Sequence, residues 1–202
     1  MIQVKQILHC LEQAAPYELA EHWDNVGLLV GDPEARVEGV LCALDITETV
    51  VEEAAERGCN VIVAHHPVIF TSVSRVTADT VTGRIVISMI QKGISGICMH
   101  TNMDCAAAGV NDLLAASLGL TDVVNMGAGE GGNLGRVGNL PRPMTLEQFA
   151  QHVKLSLDAG GIRVADGGKM VQRVAVGGGA CGKMMDEAVA KGADTFVIGD
   201  CS

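Results

Sequence analysis

Val61-Ile62-Val63-Ala64-His65-His66-Pro67 carries the decisive reading of this sequence. Four consecutive apolar residues, three of them β-branched, form a continuous run rather than an alternating one. That is the pattern of a strand covered on both faces, as in a parallel sheet with helices packed on it. The run ends at once in two imidazoles. Pro67 disfavours helical geometry at His66, so the pair belongs on an extended turn. In open α/β sheets, ligands bind outside the carboxyl ends of the strands, which makes this turn the first place to look for function.

The same alternation runs outward in both directions. Upstream, Val4, Ile7, Leu8, Leu11 and Ala15 recur at helical spacing. Val26–Val30 reads as a short strand closed by Gly31-Asp32-Pro33, and Val40–Leu44 as a buried strand ending at Asp45. Thr47 or Thr49 caps the next helix. Thr49 and Glu52 have capping-box spacing, and Gly58 is its stop. Downstream, residues 82–92 read as a helix ending at Gly93. Gly96–Met99 is a strand running into His100-Thr-Asn-Met-Asp104, and residues 109–118 form another helix.

Glycines at 127, 129, 131, 132, 135 and 138 mark a loop or seam, dividing the chain into 1–126 and 127–202. Gly135–Leu140 then reads as a strand. Thr145 and Gln148 open a helix to about Asp158. Val171–Val176 is a strand, 182–191 a helix ending at Gly192, and Thr195–Ile198 a last strand. The expected fold class is α/β: two α/β domains with mainly parallel sheet flanked by helices.

Composition excludes several functions. The chain has 202 residues, 14 basic against 24 acidic, for a net charge of −10. No basic block is present, so non-specific nucleic-acid binding is not expected. The chain is 48% apolar but 2% aromatic, which argues against a platform for stacked bases and builds the core from Val, Ile, Leu, Ala and Met. No apolar run reaches the roughly 18–20 residues that span a bilayer, and Met1–His9 is too polar for a signal peptide. The seven cysteines lack C-x-x-C spacing and read as reduced, mostly buried small hydrophobes of a cytoplasmic protein.

Asp45, His65, His66, His100, Asp104 and Asp200 all fall at or just past expected strand ends. Imidazole with carboxylate suits Zn, Mn, Fe or Ni, and His65, His66 and Asp104 read together as a metal site. The bland alternative is ordinary strand-end polarity. A competing signal is Gly177-Gly-Gly179-Ala-Cys-Gly182, which matches a dinucleotide-binding G-x-G-x-x-G between strand and helix. Its bland alternative is a tight turn in which glycine permits close packing. Met89, Met99, Met103, Met184 and Met185 read as core fillers.

The segments His22-Trp-Asp-Asn-Val-Gly-Leu-Leu-Val-Gly31, Ala43-Leu-Asp45-Ile-Thr, Ala64-His-His-Pro67 and His100-Thr-Asn-Met-Asp104 together resemble the GTP cyclohydrolase type 2 homologue family, the Nif-three-like dinuclear metal-centre proteins. Gly135-Arg-Val-Gly138, Thr145-Leu-Glu147 and Gly192–Asp200 fit as well. The resemblance implies a two-domain α/β subunit in a homohexamer, with two divalent cations facing an internal cavity. It assigns His65, His66 and Asp104 as ligands, with Asp104 bridging. It also implies a further His and Glu after the Gly-Asp motif. This chain stops at Cys201-Ser202, so the expectation is a C-terminally incomplete fold and an under-occupied centre.

Two functions follow. One is a metal-dependent hydrolase acting on a nucleotide-like or other small substrate, with Asp45 and His100 orienting ligands or carrying protons. The alternative is a non-enzymatic metal-binding or metal-trafficking oligomer. A dinucleotide-binding protein using Gly177–Gly182 is a third.

Overall fold

The apolar runs that flank His65 assemble as the sequence expects. A computed structural model of the chain describes residues 1–127 and 134–201, and Gly129, Gly131 and Gly132 of the expected seam lie outside the described residues. The chain divides into two units, Met1–Met103 and Asp104–Ser202. Gly135 and Gly138 of that expected seam lie in the second unit.

The first unit carries a four-stranded sheet of β1 (Gly27–Val30), β2 (Val40–Ala43), β3 (Val61–Ala64) and β4 (Ser95–Cys98), in the order β1-β4-β3-β2. Strands β2, β3 and β4 are parallel, and β1 is antiparallel to β4. Side chains of β3 alternate between two cores. Val61 and Ile97 meet the apolar stripe of α1 (Val4–Ala14), formed by Val4, Ile7, Leu8 and Leu11. Ile62 and Ala64 meet Val51 and Ala54 of α2 (Glu48–Glu56) and Ile85, Val86 and Met89 of α3 (Val81–Gln91). On β4, a Cβ at Gly96 would lie 2.6 Å from the Met89 methyl, so a larger residue there would make the Met89 side chain shift.

One expectation is corrected in this unit and one open alternative is resolved. Val40–Leu44 is an edge strand, not a buried one: Val40 is 38% and Leu44 62% exposed, since β2 has a neighbour on one side only. The α2 cap is Thr47, whose hydroxyl accepts from the Val50 amide at 3.2 Å.

The second unit holds β5 (Thr121–Asn125), β6 (Arg136–Met144), β7 (Val171–Gly177) and β8 (Thr195–Ile198), in that order across the sheet. Here β5, β6 and β7 run antiparallel and only β7–β8 is parallel. The α/β class with two helix-flanked sheets holds; the first sheet is mainly parallel, whereas the second is mainly antiparallel, against the expectation. Helices α5 (Val110–Ser117) and α6 (Leu146–Ser156) cover Leu140, Val171, Val174 and Val176 through Ala115, Phe149 and Val153. The opposite face packs Val137 and Ala175 against Ala188 of α7 (Met185–Ala190). Thr145 and Gln148 form the expected capping box on α6.

A short helix, α4 (Thr101–Cys105), carries the chain across the junction. Among the described residues, no helix is long and apolar enough to cross a membrane. Only Cys98, Cys105 and Cys181 are buried, so the expectation of mostly buried cysteines is corrected.

Candidate metal centre

Strand register builds the site. In the parallel part of the first sheet, Ala43 pairs with Ala64 and Ala64 with Cys98, so β2, β3 and β4 end level with one another. Backbone pairing continues just past the ends: the His65 amide donates to Ala43 O, the His66 amide to Leu44 O and the Met99 amide to Ala64 O. The next residues along each strand are Asp45, His65 with His66, and His100.

His65, His66 and His100 form one group whose potential ligand atoms all lie within 4.8 Å of one another. Ring centroids are 5.0 Å apart for His65–His66, 5.1 Å for His65–His100 and 5.7 Å for His66–His100. His100 therefore stands in the same imidazole group as His65 and His66.

Each ring is held by its Nδ1. His65 Nδ1 lies 3.0 Å from Met99 O, His66 Nδ1 2.7 Å from Asp45 Oδ1, and His100 Nδ1 2.9 Å from Asp24 Oδ1. A carbonyl or carboxylate oxygen can only accept, so each Nδ1 carries a proton, which in the neutral ring leaves the lone pair on Nε2. This tautomer, fixed by an acceptor behind the ring, is the arrangement of a metal-ligating histidine.

The two carboxylate supports differ. The Asp24 side chain is fully buried, whereas Asp45 and His66 stand about half in solvent, at 53% and 46%. Burial alone would push the Asp24 carboxyl up. Hydrogen bonds from the Thr101 hydroxyl, His100, the Thr101 amide and the Asn25 amide outweigh it and hold the carboxyl below its ordinary range. Asp24 is thus a fixed anion behind His100. Burial, reinforced by the neighbouring His100, lowers the His65 pKa and favours the neutral ring. Burial pushes the Cys98 thiol up to about 12, so it remains a thiol donating to His65 O at 3.1 Å.

Asp104 lies buried on α4, its carbonyl accepting from Asn111 Nδ2 at 3.1 Å. Asp200 is exposed beyond β8 and donates through its amide to Gly179 O at 2.9 Å. The glycine motif packs as a tight turn. The Gly178 amide donates to Asn111 Oδ1 at 2.8 Å, and a Cβ on Gly177 would lie 2.7 Å from that of Cys181. An amide engaged by a side chain is not free to cradle phosphate, which favours the packing account of this stretch.

The residue missed by strand-end reasoning is Asp24. It sits in a loop before β1, reaching His100 from 76 positions away. The one sequence signal for it was its place beside the chain's single tryptophan in the His22–Gly31 segment.

The family model described as Duf34/NIF3 (NGG1p interacting factor 3) matches residues 2–202. A "GTP cyclohydrolase 1 type 2 homolog" of Clostridium acetobutylicum is 36% identical over 206 residues, covering 100% of this chain and 77% of that protein. Its counterpart in Streptomyces coelicolor is 37% identical over 209 residues, covering 99% and 73%. The crystal structure of a Bacillus cereus protein related to NIF3 superposes with a TM-score of 0.89 at 29% identity, covering 99% of this chain and 83% of the other.

Proposed function

Because the chain belongs to the Duf34/NIF3 family, we propose that His65, His66 and His100 form a divalent-metal centre serving hydrolysis of a small, nucleotide-like substrate. The observation that carries this reading is the set of three imidazoles with ligand atoms within 4.8 Å, each backed at Nδ1 by an acceptor. The donor set fits a borderline cation such as Zn, Mn, Fe or Ni. A cation held there supplies Lewis acidity, which polarises a scissile bond and acidifies water.

The chain's own residues divide the remaining work. Asp24 fixes the ring of His100 and stays anionic while doing so. Asp45 orients His66 from the solvent side, where it is placed to pass a proton to or from bulk water. Asp104, assigned by resemblance as the bridge to a second cation, is retained as a ligand, and the subunits are taken to assemble as a homo-oligomer, a hexamer by the same resemblance. Light scattering checks the assembly.

The test begins with elemental analysis after reconstitution with Zn(II), Mn(II), Fe(II) and Ni(II). Phosphate, amide and nucleotide hydrolysis is then screened with and without chelator. The reading expects stoichiometric metal and a chelator-sensitive rate that His66→Ala abolishes. Protein that stays metal-free overturns it. Full loading without turnover on any substrate would replace it with the non-enzymatic metal-binding or trafficking role.

A further inference from the structure

The chain has one Trp and three Phe, yet Trp23 is 50% exposed and Phe70 52% exposed, both at the same place. The Trp23 and Phe70 rings meet edge-to-face at 6.0 Å and 76°. Each also meets His100 edge-to-face, Trp23 at 6.4 Å and Phe70 at 6.1 Å. The three rings form a closed triangle, and its His100 corner belongs to the imidazole group.

The two aromatic side chains are held in place by their neighbours. Asn25 Nδ2 donates to Ile69 O at 2.6 Å, tying the turn that carries Phe70 to the loop that carries Trp23. Between them in sequence, Asp24 holds His100 and the Thr101 amide at 2.9 and 3.0 Å. Three consecutive residues thus fix the aromatic pair and the histidine centre in one arrangement. A pair so fixed, half in solvent, and beside a polar centre offers π surface to whatever occupies that centre. A purely polar ligand leaves both rings facing water. An aliphatic one gains nothing from the ring quadrupoles, whereas a flat heteroaromatic ring stacks on them or meets them edge-on.

We propose that Trp23 and Phe70 seat a planar heteroaromatic ring of the ligand, whose polar groups then reach His65, His66 and His100. This rests on the proposed function only in taking the histidine group as the site where a ligand binds.

Trp23 is the single tryptophan, so its fluorescence reports the event directly. Guanosine monophosphate is the probe, and ribose 5-phosphate, which lacks the ring, is the control. The proposal expects a saturable change with the nucleotide and none with the sugar phosphate. Phe70→Ala should weaken nucleotide binding about tenfold, in keeping with the loss of one aromatic stacking partner. Phe70→Tyr should restore it, and Zn(II) affinity should stay within about twofold in both variants. An equal response to ribose 5-phosphate, or undiminished nucleotide binding by folded Phe70→Ala, overturns the proposal. So does a change in oligomer mass for Phe70→Ala, which would assign the rings to a subunit contact. Nucleotide binding by protein that takes up no Zn(II) would sustain the ring seat and defeat the metal reading.

Discussion

In the first sheet, β2, β3 and β4 run parallel and end level, so Asp45, His65, His66 and His100 leave from one edge and their side chains converge. In the second, β5, β6 and β7 alternate in direction, so successive strand ends fall on opposite edges. Polar residues there tie strands together instead. Asp194 accepts from the Gln172 and Arg173 amides, and Arg173 reaches Lys191 O at 2.8 Å and Asn139 Oδ1 at 3.0 Å. Arg136, almost wholly buried, pairs with Asp112 and donates to Cys105 O and Ala106 O. Similar strand-and-helix patterning thus yields a convergent centre in one unit and distributed fastenings in the other, and strand direction decides which.

Substitutions sharpen that contrast. The largest stability effect belongs in the second unit. Arg136→Ala removes the cationic partner of Asp112 and a donor to the carbonyls of Gly135, Cys105 and Ala106, and should cost about 1.5–3 kcal/mol in urea unfolding. A loss under about 1 kcal/mol would mean the buried pair contributes little beyond a surface ion pair. In the first unit the effect should appear in affinity. Asp24→Asn keeps the shape but removes the anion behind His100, and should weaken Zn(II) binding about 10–100-fold by calorimetry. Asp45→Asn acts on a half-exposed pair and should fall near the tenfold end of that range. The comparison breaks if Asp45→Asn is the more damaging of the two.

Smaller effects follow. Thr145→Ala removes the hydroxyl cap of α6 and should cost about 1 kcal/mol, with Zn(II) affinity unchanged. The His65 pKa is lower folded than unfolded, so the unfolded chain binds the proton first. Its contribution to stability is therefore complete above the unfolded value of about 6.5 and declines as pH falls below it. Urea unfolding in chelator at descending pH should show this decline. In His65→Gln the decline should be shallower, and an unchanged slope would remove His65 from the account.

Much of the fold was legible because β3 and β4 are apolar runs with sharp ends, and Thr145 with Gln148 writes a helix start directly. Strand β5 was not: Thr121–Asn125 is exposed throughout and carries Asp122 at φ 51°, so no alternating apolar face marks it. Strand β2 misled because four apolar residues look alike at an edge and at a centre. For the site, His65 and His66 could be read from strand-end position alone. The place of His100 depends on the register between β3 and β4, and that of Asp24 on a loop closing over 76 residues, neither of which local spacing encodes. The half-exposed placement of Trp23 and Phe70 beside His100 is likewise set by the fold and not by local spacing.

Three imidazoles from two adjacent parallel strands are proposed to hold one cation. The most direct test is calorimetric titration of chelator-treated protein with Zn(II), comparing the parent with His100→Ala at matched folded fraction by circular dichroism. Stoichiometric binding is expected for the parent and at least an approximately hundredfold loss in His100→Ala, because a ligand itself is removed rather than its hydrogen-bond support. Equal affinity in the two proteins, both folded, would contradict it.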